Sequence, residues 1–189
     1  NKEHPFARPL HWIVALFDEE PLQFNFDGIS CGSYSRGHRF LKPDKFQVKN
    51  LSSYLEQSAN HFLMVSPELR KEKVLEQIKR LAQETGGVVQ EDSELLDIVI
   101  NLVEFPVAIR GEFDPRFLEL PKELLVMTMK YHQKYFPVSD GKENLLPCFI
   151  TISNMPAGEG QEIKNGNERV LQARLEDARF FYNEDKKKN

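Results

Sequence analysis

The sequence Tyr131-His132-Gln133-Lys134-Tyr135-Phe136-Pro137-Val138 joins a predicted helix to a predicted strand and decides how the rest of the chain is interpreted. The helix is predicted upstream, because Leu124, Met127 and Tyr131 recur at spacings of three and four residues and share one helical face. Pro121 suits its first turn, where a missing N–H leaves no hydrogen bond unmade. Polar side chains therefore crowd together where this helix ends.

Downstream of this junction the sequence predicts a β-hairpin. Residues 135–138 have the pattern of a strand, Asp140-Gly141 is a strong turn signal, and the apolar run over residues 145–152 returns. Two interpretations of the junction are considered. Either Tyr135 and Phe136 are ordinary core residues, or the junction also forms a surface that contacts something anionic. The side chains on that surface would be His132, Gln133 and Lys134.

Composition limits the class of protein. The 189 residues are 40% hydrophobic, which is enough for a substantial core. The two cysteines, Cys31 and Cys148, lack metal-ligand spacing and predict free thiols in a reducing compartment. No apolar run approaches the roughly 20 residues that cross a bilayer. We therefore expect a cytoplasmic protein without a membrane partner.

The charge is uneven along the chain. The formal net charge of −4 is not that of a free-standing nucleic-acid binder. Residues 34–49, however, carry a net charge of +4, which attracts phosphate over about one Debye length. The charged residues of this segment are Arg36, Arg39, Lys42, Lys45 and Lys49, against Asp44.

Within this segment a strand is predicted over residues 33–40. Such a strand would place Arg36, His38 and Phe40 on one face and Arg39 on the other. Gly37 predicts a bulge or a close approach by another part of the backbone. Arg36 and Arg39 could then reach one ligand only if the strand bulges or ends at this point.

The rest of the chain predicts one α+β domain over residues 1–189, with sub-regions 1–86 and 87–189 as the alternative. Further strands are predicted over residues 10–17, 22–26, 62–65 and 107–113. Helices are predicted over residues 51–60, from Ser66-Pro67 to Gly86-Gly87, from Asp92-Ser93 to before Pro106, and over residues 167–184. A mobile loop is expected over residues 155–161, and Phe180 is expected to project from the last helix toward a neighbouring domain or back onto this loop.

Signatures of catalysis are missing from the sequence. It contains no phosphate-binding loop, dinucleotide fingerprint, zinc-binding helix, nucleophile elbow or CxxC motif, and its five histidines have no ligand-like spacing. The hairpin could bring His132 and Asp140 near Cys148 as a thiol–imidazole group. A cysteine in an apolar strand more often behaves as a small hydrophobic residue. We therefore predict no catalytic residue and no metal site.

An ordered set of segments carries a family resemblance. Besides residues 132–138, the set contains Arg36-Gly37-His38-Arg39-Phe40, Leu102-Val103-Glu104-Phe105-Pro106-Val107, Leu145-Leu146-Pro147, Phe149-Ile150-Thr151, Gly166-Asn167-Glu168-Arg169-Val170-Leu171 and Asp177-Ala178-Arg179-Phe180-Phe181. Together these segments resemble the beta chain of the bacterial two-chain glycyl-tRNA synthetases over nearly the whole sequence.

The resemblance implies an enzyme of two alpha and two beta chains. The alpha chain would carry the ATP-dependent activation of glycine and its transfer to tRNA, so that this chain would bind no cofactor itself. The beta chain would support tRNA binding and contain further domains, and the helix over residues 167–184 would lead to one of them. The matched region looks like the editing-type module of the phenylalanyl-tRNA synthetase beta chain, an α+β fold with packed mixed or antiparallel sheets flanked by helices.

Three functions follow from this resemblance. We expect a non-catalytic module that binds tRNA and docks other domains or subunits. The alternatives are an editing-type hydrolase of mischarged tRNA and a structural spacer. Editing is less needed for glycine, because a site for the smallest amino acid excludes larger ones sterically. The candidates for phosphate contact are Arg36, Arg39, Lys134, Arg169 and Arg174, with His38, His132 and Gln133 as a further site surface.

Overall fold

The computed structural model describes residues 10–155 and 160–187. The chain divides into two compact units, Asn1–Val65 and Ser66–Asn189. The division falls at Val65–Ser66 rather than at Gly86-Gly87, which follows a helix inside the second unit. Both units mix short sheets with helices, so the predicted α+β class is confirmed.

Residues 10–65 of the first unit form seven short strands and one helix. The strands are β1 (Ile13–Val14), β2 (Leu16–Phe17), β3 (Glu20–Pro21), β4 (Asn25–Phe26), β5 (Ile29–Gly32), β6 (Tyr34–Arg36) and β7 (Lys45–Gln47), followed by α1 (Leu51–Asn60). β5 lies between β1, to which it is parallel, and β4, to which it is antiparallel. β2 pairs with β3 and β6 with β7 as two-stranded ribbons.

The strand predictions over residues 10–17 and 62–65 are wrong. The expected buried strand over residues 10–17 is two short pieces, and it is not buried, since Trp12 before β1 is 43% and Phe17 in β2 is 70% exposed. So small a unit has little interior. Residues 62–65 form no strand. Phe62 instead takes a left-handed conformation (φ 58°), and the Leu63 N–H donates to the Ser58 carbonyl at 2.9 Å, which closes the end of α1.

The start of α1 confirms its prediction. The Asn50 side chain accepts a hydrogen bond from the Ser53 N–H at 2.9 Å, and the Ser53 hydroxyl accepts one from the Asn50 N–H at 3.0 Å. This reciprocal cap satisfies two backbone donors that a helix terminus otherwise leaves without partners. α1 therefore begins at Leu51, as the sequence indicates.

The second unit is a three-stranded antiparallel sheet with helices on both faces. Its elements are α2 (Pro67–Gln83), α3 (Ser93–Ile100), β8 (Val107–Glu112), a 3₁₀ helix (Pro115–Glu119), α4 (Lys122–Met127), a π-helix (Thr128–Gln133), β9 (Phe136–Ser139), β10 (Leu145–Ser153) and α5 (Gly160–Lys186). The strand order β8-β10-β9 confirms the predicted hairpin. α5 begins earlier than expected, and most of the loop predicted over residues 155–161 lies outside the described residues.

Tyr135 and Phe136 divide the core of this unit between them. Phe136 packs with Val74, Ile78 and Leu95 from α2 and α3. Tyr135 packs in a second cluster that includes Leu171 and Leu175 of α5. Because successive side chains point to opposite sides of an extended chain, the two aromatics anchor helices on opposite faces of the sheet. Their interpretation as core residues is confirmed.

One close contact holds the centre of the sheet. Gly111 pairs with Phe149 across β8 and β10, and a Cβ at Gly111 would lie 2.3 Å from the Phe149 ring. The Phe149 ring also stacks on Tyr135, with centroids 4.5 Å apart. The Tyr135 hydroxyl donates to Asn167 Oδ1 of α5 at 2.9 Å. A glycine is therefore needed where the ring crosses the backbone.

The apolar face predicted for α4 is wrong. Leu125 and Met129 are buried, whereas Met127 and Tyr131 are exposed. The helix continues from Thr128 as a π-helix, whose wider turn keeps residues four apart on one side. Leu125 and Met129, four residues apart, therefore both lie on the buried side of this helix.

We expect Gly111→Ala to lower the free energy of unfolding of this unit by about 1–3 kcal/mol, because the new methyl group overpacks the Phe149 ring. The matched control is Gly166→Ala in α5, where, apart from the adjoining backbone of α5 itself, no atom of residues 10–155 or 160–187 lies within 4 Å of an added Cβ. That change should stabilise the helix by about 0.5–1 kcal/mol. Denaturant unfolding measures both variants, and equal stability of the two would contradict the close contact at Gly111.

Candidate functional site

A tight loop over residues 37–42 is built around the buried side chain of His38. Nδ1 of His38 accepts hydrogen bonds from the N–H groups of Phe40 at 3.4 Å and Leu41 at 3.3 Å. The backbone of His38 donates to the His61 carbonyl at 2.9 Å and accepts from the Lys42 N–H at 3.0 Å. The imidazole thus accepts hydrogen bonds that a backbone carbonyl would otherwise accept, and it fixes the conformation of the loop. His38 serves as the support of this loop and does not lie on the surface expected for it.

Gly37 allows the loop to pass close to the rest of the first unit. A Cβ at this position would lie 2.1 Å from the Lys42 carbonyl oxygen and 2.7 Å from His61 Cβ. The close approach predicted from the sequence is therefore confirmed. The loop is fixed by backbone contacts on one side and by an imidazole on the other.

The loop presents cationic and aromatic groups to solvent. β6 ends at Arg36, and Arg36 and Arg39 are both exposed. The strand thus ends at the point that would allow the two arginines to reach one ligand. Phe40 is 66% exposed, and its ring lies 5.6 Å from the Arg39 guanidinium. The predicted common face of Arg36, His38 and Phe40 is wrong, because the strand ends before His38.

A groove lies beside this loop in the same unit. It has a volume of about 430 Å³ and is lined by His11, Trp12, Ile13, Ser30, Gly32, Tyr34, Ser35, Arg36 and Lys45. β6 and β7 pair Arg36 with Lys45 and Tyr34 with Gln47, so these side chains share the exposed face of the ribbon. Ser35 and Phe46 are buried on its other face.

Lys134 ends the π-helix in the second unit. It adopts a left-handed conformation (φ 60°), and its ammonium donates to the Tyr131 carbonyl at 2.9 Å. A cation at this point offsets the partial negative charge of a helix C-terminus. His132 is exposed, and Gln133 and Lys134 are half-buried. The ammonium of Lys134 already has a structural partner, and contact of this junction with an anionic ligand stays a prediction.

Arg169 and Arg174 are exposed on α5, while Leu171 and Leu175 face the core. Within the described part of the chain, no ion pair joins Arg174 to Asp177. The five candidate cations therefore fall into two groups. Arg36 and Arg39 share one loop of the first unit, whereas Lys134, Arg169 and Arg174 belong to the second unit.

The second unit contains a small pocket of about 250 Å³ between α3, the π-helix and the β9–β10 hairpin. Lys130 lies in it, 2.7 Å from Asp92 and 3.5 Å from Glu94. Asp92 also caps α3 by accepting from the Leu95 N–H at 3.0 Å. Burial alone would raise the pKa of Asp92, but the hydrogen bonds from Lys130 and Leu95 hold that pKa below its ordinary value. Lys130 and Asp92 thus neutralise each other in this pocket.

The thiol–imidazole alternative is not supported by the state of Cys148. Both cysteines are free, as predicted, and Cys148 is buried in the cluster with Phe136 and Ile150. Burial raises the pKa of the Cys148 thiol. A raised pKa disfavours the thiolate that a nucleophile needs. No three metal-ligating side chains come together anywhere in residues 10–155 and 160–187, and no described helix is long and apolar enough to cross a membrane.

Comparison with known proteins assigns the family. The family described as "Glycyl-tRNA synthetase beta subunit" matches residues 1–189, and the chain belongs to it. The chain is 48% identical over 187 residues, 99% of its length, to the glycine–tRNA ligase beta subunit of Syntrophus aciditrophicus, and covers 27% of that protein. It is 49% identical over 182 residues, 96% of its length, to that of Citrifermentans bemidjiense, and covers 26% of it. The chain thus spans about a quarter of the length of the curated relatives it matches.

Sequence reasoning missed the groove. It identified Arg36 and Arg39 from local charge but placed Trp12 in a buried strand. The pairing of Arg36 with Lys45 depends on the register of β6 and β7. The alternation of exposed and buried residues in Tyr34-Ser35-Arg36 and in Lys45-Phe46-Gln47 is the signal that could have revealed this ribbon.

We expect Asp92→Asn to destabilise the second unit near neutral pH by on the order of 1 kcal/mol or less, since asparagine still caps α3 but loses the charge opposite Lys130. Because the folded state lowers the pKa of Asp92, its contribution is complete above the unfolded value of about 3.9 and is lost as the pH falls through the lower folded value. Unfolding measured between neutral pH and pH 2 should therefore show wild type and variant converging in acid.

Asp97→Asn on the same helix is the control. Asp97 pairs with Lys71 at 3.2 Å, and both side chains are largely exposed. This pair should contribute less than the pair of Asp92 with Lys130. A difference between wild type and Asp92→Asn that stays constant down to pH 2 would exclude the pairing described here.

Proposed function

We propose that this chain is a tRNA-binding and docking module of the beta subunit of a glycine–tRNA ligase. The observation that carries the proposal is the loop over residues 37–42, in which a buried imidazole presents Arg39 and Phe40 to solvent. An ordered loop with a guanidinium and an aromatic ring suits RNA, because the cation contacts phosphate and the ring stacks on a base. The net positive charge of residues 34–49 attracts phosphate locally, although the formal net charge of the chain is −4.

The proposal includes the partners of the complete enzyme. The alpha subunit would activate glycine with ATP, two alpha and two beta chains would assemble, and the substrate would be the tRNA for glycine. A cytoplasmic location fits the free thiols of Cys31 and Cys148, which are typical of a reducing compartment. The proposal retains a fold like the editing-type module of the phenylalanyl-tRNA synthetase beta chain but not its hydrolysis.

Docking would use the outer side of α5. Phe180 and Phe181 are both more than half exposed, and their rings meet edge to face with centroids 5.5 Å apart. Exposed adjacent aromatics of this kind favour contact with another protein surface. The proposed occupant is a further part of the complete beta subunit, since the matched relatives are about four times as long as this chain.

We expect Arg39→Ala to weaken tRNA binding by the complete two-chain enzyme and to lower the salt slope of its affinity by about 0.7–0.9, the amount for one lost phosphate contact. Lys134→Ala should do the same if its ammonium leaves the Tyr131 carbonyl for RNA. Lys49→Ala is the control, because Lys49 is an exposed cation of the same basic segment outside the loop. Fluorescence titration of labelled tRNA at several salt concentrations measures the slopes. Unchanged slopes in both test variants would remove the RNA-binding role.

The chain alone should not activate glycine. No nucleotide-binding motif occurs in its sequence. An assay of glycine-dependent exchange between ATP and pyrophosphate measures this step directly. We expect no exchange above background from the 189-residue chain and normal exchange from the complete enzyme, and exchange by the isolated chain would contradict the assignment of this chemistry to the alpha subunit.

A further inference from the structure

We propose that the groove of the first unit binds an unpaired nucleotide of RNA by stacking its base on Tyr34, opposite Trp12, and by pairing its phosphate with Lys45, beside Arg36. This inference rests on the proposed tRNA-binding function and adds the surface and the form of RNA that it recognises. The groove is separate from the exposed tip of the loop, where Arg39 and Phe40 lie.

The walls of the groove are held in place by paired strands. β1 and β5 run parallel, with Ile13 opposite Cys31 and Val14 opposite Gly32, so Trp12 enters the groove directly before β1. On the other side, Tyr34, Arg36 and Lys45 project from the β6–β7 ribbon. The ribbon is anchored by Phe46, whose buried ring lies 4.7 Å from the His61 ring.

Among the residues that the structure describes, nothing lies within 4 Å of a Cβ placed on Gly32, which contributes a surface without a side chain. Trp12 is 43% and Tyr34 54% exposed, so that part of each side chain is accessible to a ligand. The volume of about 430 Å³ falls within the range of about 300–1,000 Å³ that is usual for small-ligand sites. The groove therefore suits a group the size of a nucleotide.

The charge of the groove selects the ligand. Arg36 and Lys45 are opposite each other across the ribbon, and none of the described residues that line the groove is acidic. This is unusual in a chain whose formal net charge is −4. Two cations beside two exposed aromatic rings match the phosphate and the base of a nucleotide.

An unpaired nucleotide fits this arrangement better than a duplex. In a double helix the faces of the bases are covered by their neighbours, and only base edges and the backbone are accessible. Stacking on Tyr34 requires a base that has left its stack. A tRNA presents such bases at its unpaired end and in its loops.

Tyr34→Ala in the complete two-chain enzyme tests the stacking. The probes are a labelled single-stranded oligoribonucleotide without secondary structure, a labelled RNA duplex of equal length, and tRNA. We expect this variant to bind the single strand about 5- to 100-fold more weakly, as alanine substitution of a stacking ring does, and Tyr34→Phe to bind it as wild type does. Binding of the duplex should be unaffected by either change.

Phe17→Ala is the matched control. Phe17 is an aromatic of the same unit that is 70% exposed and does not line the groove. It should bind the single strand normally. Lys45→Ala should lower the salt slope of single-strand binding by about 0.7, whereas Lys49→Ala should not. Circular dichroism of each variant identifies any that has unfolded, and Tyr34→Phe then decides whether the aromatic ring or the fold is needed.

Trp12 provides a direct signal, because it is the only tryptophan of this chain. The difference in emission between wild type and Trp12→Phe isolates its fluorescence in the complete enzyme. We expect the single strand to quench this signal at saturation, and an unchanged signal would argue against base contact in the groove.

The outcomes separate this inference from the function on which it rests. If Tyr34→Ala and Lys45→Ala bind the single strand as wild type does while Arg39→Ala still lowers the tRNA slope, the groove is not the site and tRNA binding stands. If neither these three variants nor Lys134→Ala changes any affinity or salt slope, both proposals fail. Equal losses for single strand and duplex would also overturn the groove assignment.

Discussion

The packing of the Phe149 ring over Gly111 constrains the whole of the second unit. The ring occupies space that any side chain at residue 111 would fill, and its stacking partner Tyr135 carries the hydrogen bond to Asn167. The sheet and α5 are therefore joined by the stacked rings of Phe149 and Tyr135 and by the hydrogen bond from Tyr135 to the Asn167 amide. Tyr135 is followed directly by Phe136, which anchors α2 and α3 on the opposite face. The residues that precede Tyr135 must accordingly end their helix at Lys134, where the left-handed conformation reverses the chain.

The sequence predicted those elements whose signals are local. Asn50, Ser66 and Asp92 each cap a helix, and the helices begin where these caps predict. The hairpin of β9 and β10 also followed from an adjacent turn signal. The failures depend on contacts between distant residues. The run over residues 10–17 looks buried from its composition, but whether it has an interior to face is decided by the rest of a small unit. Residues 62–65 have the composition of a strand, yet they follow α1 directly and close its end through the Leu63 N–H and the Ser58 carbonyl.

The candidate site could likewise be predicted only where its signals are local in the sequence. Charge along the chain identified Arg36 and Arg39, and Gly37 predicted the close backbone approach that the structure contains. The role of His38 could not be read in this way, because an imidazole that accepts two backbone hydrogen bonds resembles in sequence one that faces solvent. The groove required knowledge of which residue lies opposite Arg36. That pairing follows from the register of β6 and β7, in which Ser35 and Phe46 are the buried pair, and register depends on contacts between residues that are distant in sequence.

The length of α5 has a mechanical consequence. Its 27 residues extend for about 40 Å at the rise of an α-helix, and Leu171 and Leu175 clamp its middle to the sheet. A continuous helix bends little over this distance, so a load on Phe180 and Phe181 is carried along it to the cluster in which Leu171, Leu175 and Tyr182 pack. The Tyr135–Asn167 hydrogen bond lies on the other side of the clamp from these rings. A partner that pulls on the two phenylalanines would thus strain the contact between Tyr135 and α5 by leverage, without touching it.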